Sequence, residues 1–269
     1  MKDAQKAQGA FMKVTYIYHS GYLVETEPAT LLFDYYKGKL PAFPADKPLI
    51  VFASHKHPDH FNLRIFDLQN HPGGVTYVFG NDIRLSDRYM ERHGIDPAVK
   101  SKVHRMSPHT TLSLPAGGKT EIRIHTLRST DVGVAFYVES GNDRIYHAGD
   151  LNWWHWEGEA DDFNQEQERV YQEEIGYLKE LLEADAKNPP VLDVAFVPLD
   201  PRLGEAYCYG MDYFLSRIPV KEVYPMHMWE DDRIIDRYVQ HCLLTENQRD
   251  YPRLLKNPME NHTFFTNAT

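Results

Sequence analysis

The chain has 269 residues, 42% of them hydrophobic and 25% charged, which is ordinary for a globular protein able to bury a core without covalent staples. A formal net charge of −10 disfavours nucleic acid as the natural partner, because phosphate binding wants a basic surface. Two cysteines, Cys208 and Cys242, exclude a disulfide-rich scaffold and fit a reduced, cytoplasmic protein.

The opening MKDAQKAQGA is polar and lacks the apolar run of a secretory signal. Residues 1–11 are therefore expected to be a disordered leader and 12–269 a single domain. No stretch is long and apolar enough to cross a bilayer, so no membrane partner is expected. Val14, Tyr16 and Tyr18 alternate with more polar positions, and GYLVET, Thr30 to Asp34 and the apolar run Leu49 to Ala53 follow as strands. Pro41, Pro44 and Pro48 mark the loop between the last two. Helices are expected around Asn62 to Gln69 and Asn81 to His93, with a short strand near Val75 to Phe79. Ile122, Ile124 and Thr126 alternate with Glu121, Arg123 and His125 as a half-buried strand, and GVAFYVES and DRIYHAG follow across a Gly-Asn-Asp turn. Beyond a Trp-rich segment the period changes: Tyr171, Ile175, Leu178 and Leu182 recur at helical spacing. Val191 to Val197 reads as a buried strand. A helix near Met211 to Arg217, a strand at Glu222 to Tyr224 and a helix near Arg233 to Cys242 complete the pattern. Strands and helices without a dividing linker predict one layered α/β domain.

The densest chemistry lies in Ser54-His55-Lys56-His57-Pro58-Asp59-His60, directly after the apolar strand. Four imidazole and carboxylate groups within six residues are hard to explain as packing. Together they suit zinc, manganese or iron.

This His-x-His-x-Asp-His motif resembles the defining motif of the metallo-β-lactamase superfamily. Tyr146-His147-Ala148-Gly149-Asp150 is similar to the family's strand-end Gly-Asp, and Tyr224-Pro225-Met226-His227 to its closing histidine. The opening Tyr18-His19-Ser20, followed by Leu32-Phe33-Asp34, is similar to the branch that includes ascorbate-6-phosphate lactonase. The resemblance implies a four-layer αβ/βα sandwich with two divalent metals, zinc or manganese before iron, at one edge between the sheets. It implies that His55 and His57 hold the first metal, that Asp59, His60 and His227 hold the second, and that Asp150 bridges them. Asp59 and Asp150 are the catalytic candidates, with Asp59 able to steer a nucleophile or handle a proton.

One position departs from the family pattern. Where a third histidine of the first site is usual, this chain reads Arg128-Ser129-Thr130-Asp131-Val132-Gly133. Asp131 is the best substitute. His125 is the other candidate, but its alternation marks it as an exposed strand residue. His147, as a strand neighbour of the aspartate loop, points to the opposite face and reads as structural. His19, Trp153 and Arg202 are candidate substrate-binding residues, Arg202 toward an anionic group and Trp153 as part of a pocket wall.

The expected activity is metal-dependent hydrolysis of an ester, lactone or phosphodiester bond in a small, anionic molecule. A non-hydrolytic metal-binding or ligand-sensing protein, a di-iron oxidoreductase and, further back, a nuclease are the alternatives. Self-association as a homo-oligomer is left open.

Overall fold

In the computed structural model, which describes residues 11–116, 120–185, 188–231, 233–246 and 248–267, thirteen strands form two mixed sheets. β1 (Phe11–Tyr18), β2 (Gly21–Glu25) and β3 (Thr30–Phe33) make an antiparallel meander, to which β4 (Leu49–Ala53), β5 (Val75–Gly80) and β6 (Val103–Met106) add in parallel. The second sheet repeats that plan. β7 (Thr111–Pro115), β8 (Glu121–Arg128), β9 (Val134–Ser140) and β10 (Asp143–His147) are antiparallel, and β11 (Leu192–Pro198) and β12 (Val220–Met226) continue in parallel. β13 (Thr263–Asn267) returns to the first sheet and pairs with β1.

Parallel pairs need crossovers, and these carry the helices. A 3-10 segment (Leu63–Leu68), α1 (Asp87–His93) and a second 3-10 segment (Pro97–Lys102) cover the first sheet. α2 (Asp161–Ala184) and α3 (Tyr209–Arg217) cover the second, and α4 (Arg233–Leu244) packs beside them. Period-2 side-chain alternation sorts the first sheet into two faces. Val14, Val24, Leu31, Phe33, Ile50 and Phe52 face the second sheet, while Leu23, Leu32, Leu49, Val51 and Ala53 face the outer helices. The result is the expected four-layer sandwich.

Local details differ from expectation. The segment at 62–69 is a 3-10 helix, and the helix expected from Asn81 starts only at Asp87, where the Ser86 side chain caps the Tyr89 N–H. β6, β7 and β13 were not anticipated. β6 and β7 are short and mostly exposed, so they carry little hydrophobic signal, and β13 depends on a partner more than 240 residues away. β1 begins at Phe11, one residue before the expected domain start, and the rest of the expected leader (1–10) lies outside the described residues. Among the described residues, no helix is long and apolar enough to cross a membrane.

Candidate metal centre

The ends of β1, β3, β4, β10 and β12 meet at one edge of the sandwich, and the residues that follow them turn sharply. His19, Asp34 and His227 adopt left-handed backbone conformations with φ of 56°, 41° and 63°. Non-glycine residues reach that region at a cost, and such residues gather at functional sites. Two glycines let the loops close on one another. At Gly133 (φ 77°) an added Cβ would lie 2.2 Å from the Ser54 carbonyl oxygen, and at Gly149 (φ 52°) 2.7 Å from the Ser54 Cβ.

This closure assembles two donor sets. His55, His57, Asp131 and Asp150 form one; His19, Asp59, His60 and His227 form the other, and within each set the ligand atoms lie within 4.8 Å of one another. Asp150 reaches both: its Oδ2 is 3.4 Å from His55 Nε2, and its Oδ1 is 3.1 Å from His60 Nε2 and 3.4 Å from His227 Nε2. Asp131 Oδ2 stands 3.4 Å from His57 Nδ1, which brings a second carboxylate into the first donor set. His125 lies elsewhere, within reach of Thr111 (3.0 Å) and Glu139 (3.9 Å).

The donor chemistry fits divalent metal. Among the described residues, the buried Nε2 atoms of His19, His55, His60 and His227, and Asp150 Oδ1, have no hydrogen-bond partner. Buried polar atoms without partners are rare and costly, and these five, divided between the two donor sets, are placed to take up a cation. Nitrogen and carboxylate oxygen in sets of four suit zinc, manganese or iron.

Neighbouring carboxylates orient these rings. Asp34, fully buried, accepts hydrogen bonds from Ser54 N (2.7 Å), Ser54 Oγ (2.6 Å) and His60 Nδ1 (2.7 Å). Asp200, also buried, accepts from His227 Nδ1 (2.9 Å). Each leaves the opposite nitrogen, Nε2, turned to the centre, the usual arrangement behind a metal-bound histidine. His147 is spent on structure: its Nε2 donates to the Ser20 carbonyl (2.9 Å) and its Nδ1 accepts from Gly149 N (3.2 Å).

Electrostatics of the metal-free centre follow from this crowding. Burial, helped by His60, pushes the His55 imidazole down to about 4. Burial also opposes charge on His60, but Asp150 and Asp34 outweigh it and hold its pKa well above the ordinary value. Burial works against the Asp150 carboxylate, yet His60 and His227 keep it well below the usual range. Asp131 is raised by burial and by the Asp150 charge.

Beside the centre opens a cavity of about 380 Å³, bordered by Asp131, Asp150, Trp154, Trp156, Phe163 and Arg202 among others. The structure places two of the expected substrate-binding residues away from the cavity wall. His19 belongs to a donor set, its Nε2 3.6 Å from Asp59 Oδ2, rather than to a substrate wall. Trp153 turns away to pack against Tyr171, Tyr209 and Tyr213, and Trp154 and Trp156 wall the cavity in its place. The segment from Asn152 to Trp156 has no regular structure, so side-chain direction could not be read from spacing there. Arg202 borders the cavity. The contacts of Asp34 and Asp200 were missed, although both aspartates sit at strand ends beside the recognised motifs.

The fold and this centre together define a class. A β-lactamase superfamily domain matches residues 13–157, and the chain belongs to that superfamily. A UPF0173 metal-dependent hydrolase of Desulforamulus reducens is 28% identical over 146 residues, which are 52% of this chain and 62% of that protein. The match thus spans less than two thirds of the relative's length. Among solved structures, Igni18, a metallo hydrolase of the archaeon Ignicoccus hospitalis, superposes with a TM-score of 0.59 at 14% identity, covering 96% of this chain and 100% of its own. CmlA, a diiron β-hydroxylase of Streptomyces venezuelae, gives 0.52 at 11% identity over 98% of this chain and 55% of its own.

Proposed function

We propose that the protein hydrolyses an ester, lactone or phosphodiester bond in a small, anionic substrate, with two divalent ions, zinc or manganese, held by the two donor sets. The observation that carries this reading is Asp150, whose two oxygens face different sets. Ions held by these residues would supply Lewis acidity and lower the pKa of a bound water. The chain's own residues then do the rest. Asp59, partly exposed with its Oδ2 between His19, His60 and His227, is held as a carboxylate below the usual range, because the neighbouring histidines outweigh burial. It can accept a hydrogen bond from the attacking water and orient it, and its partial exposure gives a released proton a way out. Thr130 Oγ1 donates to the Asn152 carbonyl (2.7 Å) and keeps the Asp150 loop in place. Trp154 and Trp156 exclude water from the scissile bond. Arg202, which borders the cavity, supplies a positive charge that favours an anionic substrate.

The relative and Igni18 bear hydrolase names, which supports the reaction class. The opening Tyr18-His19-Ser20 and Leu32-Phe33-Asp34 support a lactone of a phosphorylated sugar as the substrate type, by resemblance to the lactonase branch. A second reading, a di-iron oxidoreductase, is favoured by Asp131, which brings the carboxylates at the centre to three.

Elemental analysis of gently purified protein decides between them. Close to two zinc or manganese per chain, falling to one in Asp131→Ala, is the expected result. Two irons would favour the oxidoreductase, and one metal or fewer after loading would overturn the binuclear hydrolase.

A further inference from the structure

We propose that Arg202 is a pre-set anchor for a carboxylate or phosphate that the substrate carries apart from its scissile bond; as a statement about substrate, this rests on the hydrolase reading above. Five contacts already hold the guanidinium: three hydrogen bonds and two aromatic rings. Nε donates to both Asp200 oxygens (3.0 Å each) and Nη2 to Asp200 Oδ2 (2.5 Å), while the guanidinium carbon lies 4.4 Å from the Trp229 ring centroid and 5.4 Å from that of Trp156. Asp200 is itself immobile: it is fully buried and also accepts from Arg202 N (2.9 Å), His227 Nδ1 (2.9 Å) and Trp229 Nε1 (3.3 Å). What remains is the outer edge. Nη1 makes no hydrogen bond among the described residues, and the side chain is 44% exposed where it borders the cavity shared with Asp131 and Asp150.

A guanidinium edge with two parallel N–H groups matches a carboxylate or phosphate bidentately. Holding that edge in place beforehand removes the side-chain entropy an exposed arginine would lose on binding. A purely structural arginine would need only the Asp200 edge; it would not need to stand in the wall of the reaction cavity. The flat apolar surfaces of Trp154, Trp156 and Phe163 lie in the same cavity wall. The ligand class is therefore a small molecule with an anionic end, a flat or apolar body, and a hydrolysable bond near Asp150.

The test measures tryptophan fluorescence of the zinc-loaded protein titrated with benzoate, phenyl phosphate and benzyl alcohol, beside turnover of phenyl acetate and 4-acetoxybenzoate. The expected result is that one or both anions bind at least about tenfold tighter than the alcohol, and that Arg202→Ala loses about tenfold of that advantage. Arg202→Lys should not restore it, because a point charge lacks the fork. The anion with the larger loss identifies carboxylate or phosphate as the recognised group. Anion binding equal in wild type and Arg202→Ala would mean that the metals alone hold the anion, and would overturn the proposal. So would a variant that loses zinc but keeps its anion preference, since that is the signature of a structural role through Asp200 and His227. Arg202-dependent binding with neither ester hydrolysed would leave the anchor standing and count against the ester reading of the site.

Discussion

Replacing Asp34 separates the ring-orienting role of a buried carboxylate from its structural one. Its two oxygens serve three donors: Ser54 N, Ser54 Oγ and His60 Nδ1. In Asp34→Ala, Ser54 Oγ still has His55 Nδ1 at 3.0 Å, but the Ser54 N–H loses its acceptor and His60 Nδ1 keeps only the long contact to Ser54 Oγ at 3.5 Å. A buried unsatisfied group costs about 1–3 kcal/mol and a weakened hydrogen bond about 1 kcal/mol, so the apoprotein should lose about 2–4 kcal/mol. The left-handed backbone at position 34, which aspartate tolerates better than alanine, adds to that. Asp34→Asn keeps the volume and one acceptor oxygen, but its amide must face either Ser54 N–H or the His60 ring donor. The His60 ring is then no longer held with Nε2 toward the centre, and zinc affinity should fall about 10- to 100-fold, roughly 1.4–2.7 kcal/mol. Urea unfolding of the metal-free variants gives the first quantity, and zinc competition against a chromophoric chelator gives the second. Wild-type zinc affinity in Asp34→Asn would refute the claim that this carboxylate sets the His60 ring.

Three further outcomes are expected. Burial, with Asp193 nearby, pushes the Asp143 carboxyl up to about 6. The folded state thus binds that proton more tightly than the unfolded chain, and this contribution to stability is lost as pH rises from about 4 to 6. Asp143→Asn should therefore stabilise the protein at neutral pH by about 3 kcal/mol and flatten the unfolding free energy across that window; an unchanged slope would contradict it. Gly133→Ala combines a positive φ with a Cβ 2.2 Å from the Ser54 carbonyl oxygen, and should cost about 3 kcal/mol in thermal or urea unfolding while lowering metal content through the displaced His55. Chelation should lower the melting temperature and zinc should restore it, since metal bound only to the folded state adds about 2.7 kcal/mol per site at a hundredfold excess over Kd; a melting curve indifferent to chelator would argue against a preformed centre.

How much was legible in the chain differs from residue to residue. His55, His57, Asp59 and His60 were readable because they are contiguous: one strand end delivers all four, and their proximity in space follows from proximity in sequence. The strands β2, β3, β4, β8, β9 and β10 were readable from period and apolar runs, because each buries at least one face. The helix α2 declared itself through Tyr171, Ile175, Leu178 and Leu182, all buried against the sandwich. Asp150 and His227 needed the company of the first motif, since a lone Gly-Asp or a lone histidine after a strand is ordinary.

Other features belong to tertiary structure. Whether His125 or Asp131 completes the first donor set depends on which side of β8 and its following loop faces the centre, and that is settled by sheet packing and by the close approach of Gly133 to Ser54. His19 joins Asp59, His60 and His227 only because β1 and β12 end side by side, with His227 N donating to the His19 carbonyl at 3.3 Å. Which tryptophans wall the cavity was decided by an irregular segment whose directions come from its neighbours: Trp154 Nε1 donates to the Asp150 carbonyl (2.9 Å), and Trp153 is drawn to the tyrosines of α2 and α3. The sequence by itself thus determined the donor chemistry and most of the strands, because adjacency and periodicity are local. Only the folded chain decided which distant side chains come together in a donor set, orient a ring or line the cavity, because those depend on side-chain directions that long-range packing sets.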